Sequence, residues 1–218
     1  MDFIEDALSY FEPIQWYIFA TFVFAMVSFI PKNPVYRILF LILLVNSITE
    51  MISVVLALHH IRLGFLFSVS LIFHNGLWLW LLYKAVKQRL LFKLLFIGYL
   101  GFAVLNLICW EGSSRFNINT FIIGAFLYLT VFIYESFFQL KQENFPYFLS
   151  NYYLLLLAPV LFFVGLSFVL GFKSRALTRT IIYGNVHLYE FIVCFINIIY
   201  YSLINIYIYR EKKVGNAQ

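Results

Sequence analysis

Apolar residues in this chain do not alternate as in a half-buried strand, and they are not confined to one stripe of a helix. They run in long stretches broken by short clusters of Pro, Gly, Asn, Lys and Arg. Seven such stretches cover approximately residues 14–30, 36–58, 63–83, 90–110, 120–140, 147–172 and 180–209. A helix crosses a bilayer with about 20 mainly apolar residues at a rise of about 1.5 Å each. Strands do not fit runs of 17 residues or more, and an open sheet cannot satisfy its edges in hydrocarbon. The first stretch ends at Pro31-Lys32-Asn33-Pro34, because proline cannot continue a helix. Pro159 lies inside the sixth stretch and predicts a kink there. The pattern therefore predicts an all-α polytopic membrane protein: one transmembrane domain over residues 1–218, a bundle of about seven helices.

Composition agrees. The 218 residues are 63% hydrophobic and 11% charged, with mean hydropathy +0.90, whereas soluble domains carry roughly 25% charged residues. Seven spans use about 140 residues, leaving loops and tails but no soluble domain. Charge sets the expected orientation. Ten basic residues fall on one side: Lys32, Arg37, Lys84, Lys87, Arg89, Lys93, Lys141, Arg210, Lys212 and Lys213. Five fall on the other: Arg62, Arg115, Lys173, Arg175 and Arg179. The richer side is expected in the cytoplasm. The N-terminus, with Asp2, Glu5, Asp6 and Glu12, is then outside, and the C-terminus is cytoplasmic. Lys173, Arg175 and Arg179 form a basic loop against this rule. The acidic start lacks the basic region of a cleaved signal peptide. The net charge of +5 sits at helix ends and forms no basic face for nucleic acid. Cys109 and Cys194 fall at different expected depths, which speaks against a disulfide. Trp16, Tyr17, Tyr83, Trp110 and Tyr209 near span ends fit interfacial anchors.

An ionisable group at membrane depth is costly and is a functional candidate by default. Counted along the helical rise, Glu50 is about 18 Å from its helix entry, and His74 and Glu190 are each about 15 Å from theirs. All three would lie near the middle of a core about 30 Å thick. Glu135, about 22 Å in, is expected to snorkel toward Lys84 or Lys141. His59 and His60 are expected at the interface. Helical spacing aligns Asn46, Glu50 and Ser53 on the second span and Ser70, His74 and Trp78 on the third, with Asn75 alongside. On the seventh it aligns Tyr183, His187, Glu190, Cys194, Asn197, Tyr201 and Asn205. Lipid would reject such stripes, so spans two, three and seven are expected to converge. The ligand or proton site predicted there consists of Glu50, His74, Asn75, His187, Glu190, Asn46 and Asn197. A buried hydrogen-bond network that merely fixes packing would use the same residues. A metal held by His74, His187, Glu50 and Glu190 is chemically allowed. No HxxxH or CxxC spacing supports it, and no metal or other cofactor is predicted. The last span lacks a Schiff-base lysine, no intramembrane arginine series suggests a voltage sensor, and no P-loop or GxSxG motif appears.

Several segments also resemble a group of small seven-helix bacterial inner-membrane proteins. They are Phe145-Pro-Tyr-Phe-Leu-Ser-Asn151 before an apolar helix with Gly165 and Gly171, Asn197-Ile-Ile-Tyr-Tyr201, Tyr209-Arg-Glu-Lys-Lys213, Asn46-Ser-Ile-Thr-Glu50 and Phe116-Asn117. Members of that group are often encoded near two-component histidine kinases. The resemblance implies a bacterial inner membrane and a link to sensing, and it carries no catalytic residues. The leading expectation is a receptor-like protein that binds a ligand or proton inside the bundle and signals through a separate protein. Its other neighbours would be the lipid bilayer or a further membrane subunit, and no nucleic acid. The alternatives are a proton-coupled transporter, an intramembrane lipid-modifying metalloenzyme, and a structural subunit of a complex.

Overall fold

The computed structural model describes residues 11–31, 33–86, 89–171, 180–184 and 186–215. Asp2, Glu5, Asp6, Lys32, Lys87, Lys173, Arg175 and Arg179, on which part of the charge argument rests, lie outside the described residues, as do the side chains of Arg89 and Tyr183. The helices are α1 (Pro13–Val27), α2 (Pro34–Leu58), α3 (Gly64–Ala85), α4 (Arg89–Leu105), α5 (Ile118–Lys141), α6 (Phe145–Leu149), α7 (Asn151–Gly171) and α8 (Leu188–Gly215). A π-helical turn, Asn106–Trp110, continues α4. Strands β1 (Ile181–Tyr183) and β2 (Val186–His187) precede α8 as an antiparallel hairpin.

Among the described residues six helices are long and apolar enough to cross a membrane: Pro34–Leu58, Gly64–Ala85, Leu90–Trp110, Ile118–Lys141, Asn151–Leu170 and Leu188–Lys213. The chain is thus an all-α, multi-pass membrane protein. Large apolar side chains on its surface, among them Leu90, Ile108, Phe126 and Phe137, are costly in water and at home in lipid. The first predicted span is shorter than expected. At 15 residues, α1 rises about 22 Å, less than the roughly 30 Å core. Its start has a local cause: Pro13 occupies the first turn, where its missing N–H costs nothing.

Two other boundaries move. The sixth span starts at Asn151 rather than 147, because Ser150 turns extended and its Oγ accepts from the Tyr153 N–H at 3.1 Å, an N-cap. The seventh starts at Leu188 rather than 180. Residues Ile181-Ile-Tyr and Val186-His187 pair across a turn in which Gly184 has φ +56°, a conformation glycine adopts without strain. Strands were not expected in this chain; this one hairpin is short and lies outside the six helices.

The chain forms two compact units, Met1–Val131 and Phe132–Gln218. In the first, α1 and α2 form a hairpin closed by the buried Tyr36 hydroxyl, which donates to Ala25 O at 3.0 Å. The start of α3 is pinned to the loop before α5. Ser68 Oγ accepts from the Asn117 N–H at 3.0 Å, and a Cβ on Gly64 would stand 2.9 Å from Arg115 backbone. In the second unit, α7 packs on α8 at Gly165, where an added Cβ would stand 2.5 Å from Ile196 Cδ1. Buried Tyr200, Tyr201, Ile204, Tyr207 and Ile208 form the inner face of α8. Asn151 Nδ2 donates to Tyr207 O at 3.1 Å and to Glu211 Oε1 at 2.7 Å, tying the ends of the two helices.

Candidate functional site

In the first unit the polar stripes of α2 and α3 face each other. Asn46 Oδ1 and His74 Nδ1 are 2.9 Å apart. With the amide oxygen facing the ring, Nδ1 is the donor. His74 is buried and meets Trp78 edge-on at 6.5 Å. One turn away, Thr49 Oγ1 lies 2.8 Å from both Val45 O and Ser70 Oγ. One hydroxyl carries one proton, so Thr49 donates to the carbonyl while Ser70 donates to Thr49.

Glu50, beside Thr49, is half-buried. Its Oε2 accepts from Gln15 Nε2 at 2.7 Å, and Ser53 Oγ is 3.5 Å away. Gln15 is held at its other end as well: its Oε1 accepts from the Glu12 N–H at 3.0 Å, at the N-terminus of α1. Gln15 was absent from the predicted site. Its signal was the spacing Glu12-Pro-Ile-Gln15, half of a capping box, which fixes the amide where it can reach the next helix.

Asn75 is fully buried on the other side of α3. Its amide and the Tyr99 hydroxyl are buried without a hydrogen bond among the described residues. Both side chains border Gly124, where an added Cβ would collide with Asn75 Nδ2. Asn75 therefore belongs to an α3–α4–α5 contact and not to the Asn46–His74 pair.

The remaining predicted residues, His187, Glu190 and Asn197, belong to the second unit. Because α8 begins at Leu188, Glu190 is in its first turn and exposed, not deep in a span. Its Oε2 accepts from the His187 N–H at 3.2 Å, as a capping carboxylate does. His187 lies on β2, half-buried. Asn197 Nδ2 donates to Val193 O at 2.9 Å, back onto its own helix. Of the stripe expected along this segment, Tyr201 is buried on the inner face of α8, and Cys194, Asn197 and Asn205 are half-buried.

Glu135 also departs from expectation. Rather than snorkelling, it is 1% exposed. Its Oε1 accepts from Gln139 Nε2 at 2.6 Å, and Gln139 Oε1 accepts from Asn144 Nδ2 at 2.7 Å. His59 and His60 are both exposed at the end of α2. The two cysteines are free thiols. Among the described residues no three His, Cys, Asp or Glu side chains gather closely enough to hold a metal ion.

No family model matches the chain, and no curated protein or solved structure is significantly similar to it.

Proposed function

We propose that this is a receptor-like membrane protein that takes up a proton or a cationic ligand at Glu50 and passes its state to a separate signalling protein. The observation that carries this reading is the Gln15–Glu50 hydrogen bond, 2.7 Å long, which joins the far ends of the α1–α2 hairpin. The turn end of that hairpin is held independently by Tyr36 on Ala25 and by ring contacts of Phe29 with Tyr36 and Phe40. A proton or cation on the carboxylate weakens it as an acceptor for Gln15. The free end of α1 then releases while the turn end holds. A ligand shifts such an equilibrium only by its different affinity for the two states, and here the difference lies in whether Gln15 or the ligand occupies Oε2. Asn46, His74, Thr49 and Ser70 would complete the polar surroundings.

In this proposal α1 crosses as a seventh span, with the N-terminus outside and the C-terminus in the cytoplasm. The Lys and Arg asymmetry supports that orientation. The sequence resemblance supports a bacterial inner membrane. The partner would meet the basic cytoplasmic loops, near Lys84 and Lys93, and the Arg210–Lys213 end of α8.

The test is a distance measurement in lipid nanodiscs between spin labels at Trp16→Cys and Met51→Cys, in a chain whose native cysteines are replaced by serine. Acidification or ligand addition is expected to lengthen the distance, and Glu50→Gln to abolish the response. An unchanged distance under every condition ends the receptor reading. Substrate uptake into proteoliposomes that requires Glu50 would favour a transporter instead.

A further inference from the structure

The second unit holds a groove of about 440 Å³ at the corner where α5 passes into α6 and α7. Phe132, Ser136 and Leu140 line it from one face of α5, at a spacing of four. Phe145 and Phe148 line it from α6, and Tyr153 from α7. Two more lining residues, Ile133 and Phe137, are exposed, as are Leu140 and Phe145. The groove therefore opens on the outside of the protein. Water against so much apolar lining is costly, and around the helices of a multi-pass membrane protein the outside is lipid.

Polarity along α5 changes in one direction. Lys141 ends the helix and is exposed. It stands one residue past Leu140 and one turn past Phe137, so it is a neighbour of the groove's rim. Ser136, the one hydroxyl-bearing residue of α5 in the lining, lies about 7.5 Å farther along the axis, and Phe132 about 13 Å. Ser136 Oγ is buried and makes no hydrogen bond among the described residues. An unpaired buried hydroxyl is costly, and it turns about a single bond to meet an acceptor.

A glycerophospholipid presents the matching order along its length: phosphate, ester carbonyls, acyl chain. We propose that this corner holds one glycerophospholipid of the adjoining leaflet, with an acyl chain in the aromatic groove, an ester carbonyl accepting from Ser136 and the phosphate at Lys141. Glu143, two residues on, is exposed as well, so the match is to the phosphate and not to a net negative headgroup. The site lies wholly in the second unit and does not depend on the reading of Glu50.

The experiment is photo-crosslinking of the full chain in phosphatidylcholine nanodiscs doped with a phosphatidylcholine whose acyl chain carries a diazirine, with adducts mapped by mass spectrometry. Tyr153 and Tyr134 share one side-chain chemistry. Tyr134 is exposed and outside the groove, whereas Tyr153 is half-buried and lines it. A chain held in the groove is expected to label Tyr153 more than Tyr134, against their order of exposure. Lys141→Gln is expected to lower labelling of Tyr153 roughly two- to fivefold, the range of an exposed ion pair, and to leave Tyr134 unchanged. Labelling that follows exposure, with Tyr134 ahead, means that lipid only coats the surface and overturns the proposal. Tyr153 left unlabelled means that protein covers the groove, with the same consequence. Undiminished Tyr153 labelling in Lys141→Gln overturns the assignment of the phosphate.

Discussion

Glu50 and Glu135 are both carboxyls within long apolar helices, yet the two units treat them in opposite ways. Glu50 is half-buried, and the oxygen facing α1 is supplied with a donor from that neighbouring helix. Glu135 is almost wholly buried, but its only hydrogen bond among the described residues comes from Gln139, one turn along the same helix. The first carboxyl links two elements, and the second leaves an oxygen unused. Burial and satisfaction are therefore separate properties. The cost of an intramembrane carboxyl depends on the donors around it, and its use depends on which oxygen is left over.

The comparison can be broken by mutation, with apparent unfolding free energies measured by SDS titration. The largest effect is expected at Gly165→Val, where α7 and α8 must part to admit the side chain. A loss of about 3 kcal/mol is expected, the upper range for overpacking. Next comes Glu50→Ala, which strands the Gln15 amide and costs about 2 kcal/mol. If instead this variant is neutral, the Gln15–Glu50 link is not a structural joint. Thr49→Val removes the hydroxyl shared with Ser70 and should cost about 1 kcal/mol. The smallest effect is expected for Glu135→Gln, within about 0.5 kcal/mol either way. Its Oε1 remains an acceptor for Gln139, and the atom replaced has no hydrogen-bond partner among the described residues. A large destabilisation there would erase the contrast between the two carboxyls.

Most of the fold was legible because hydropathy over 20-residue windows is a strong signal. The six long helices follow the predicted stretches, and helical spacing placed Asn46 and Ser70 on polar stripes without giving the partner each meets, His74 and Thr49. What failed was arithmetic along the axis. Counting the rise from Thr180 put Glu190 at mid-membrane, but the β1–β2 hairpin, with Gly184 at φ +56°, comes first, and the helix starts at Leu188. The same arithmetic gave Glu135 a depth but no direction, and the direction is set by rotation about the helix and by Gln139. Ser150 carried an N-cap signal that long apolar runs obscured. Gln15 was overlooked because a neutral amide near a helix start carries no penalty that would draw attention to it.

Gln15 is bound at both ends, its oxygen to the cap of its own helix and its nitrogen to a carboxyl of the next. A side-chain amide held this way exchanges its protons with water slowly, and its nitrogen resonance moves with the charge on the carboxyl. The chain has only five glutamines, so selective ¹⁵N-glutamine labelling would give a spectrum sparse enough to follow one of them. The amide that fixes the geometry of the hairpin thus also supplies a native spectroscopic reporter on it, without any label added to the protein.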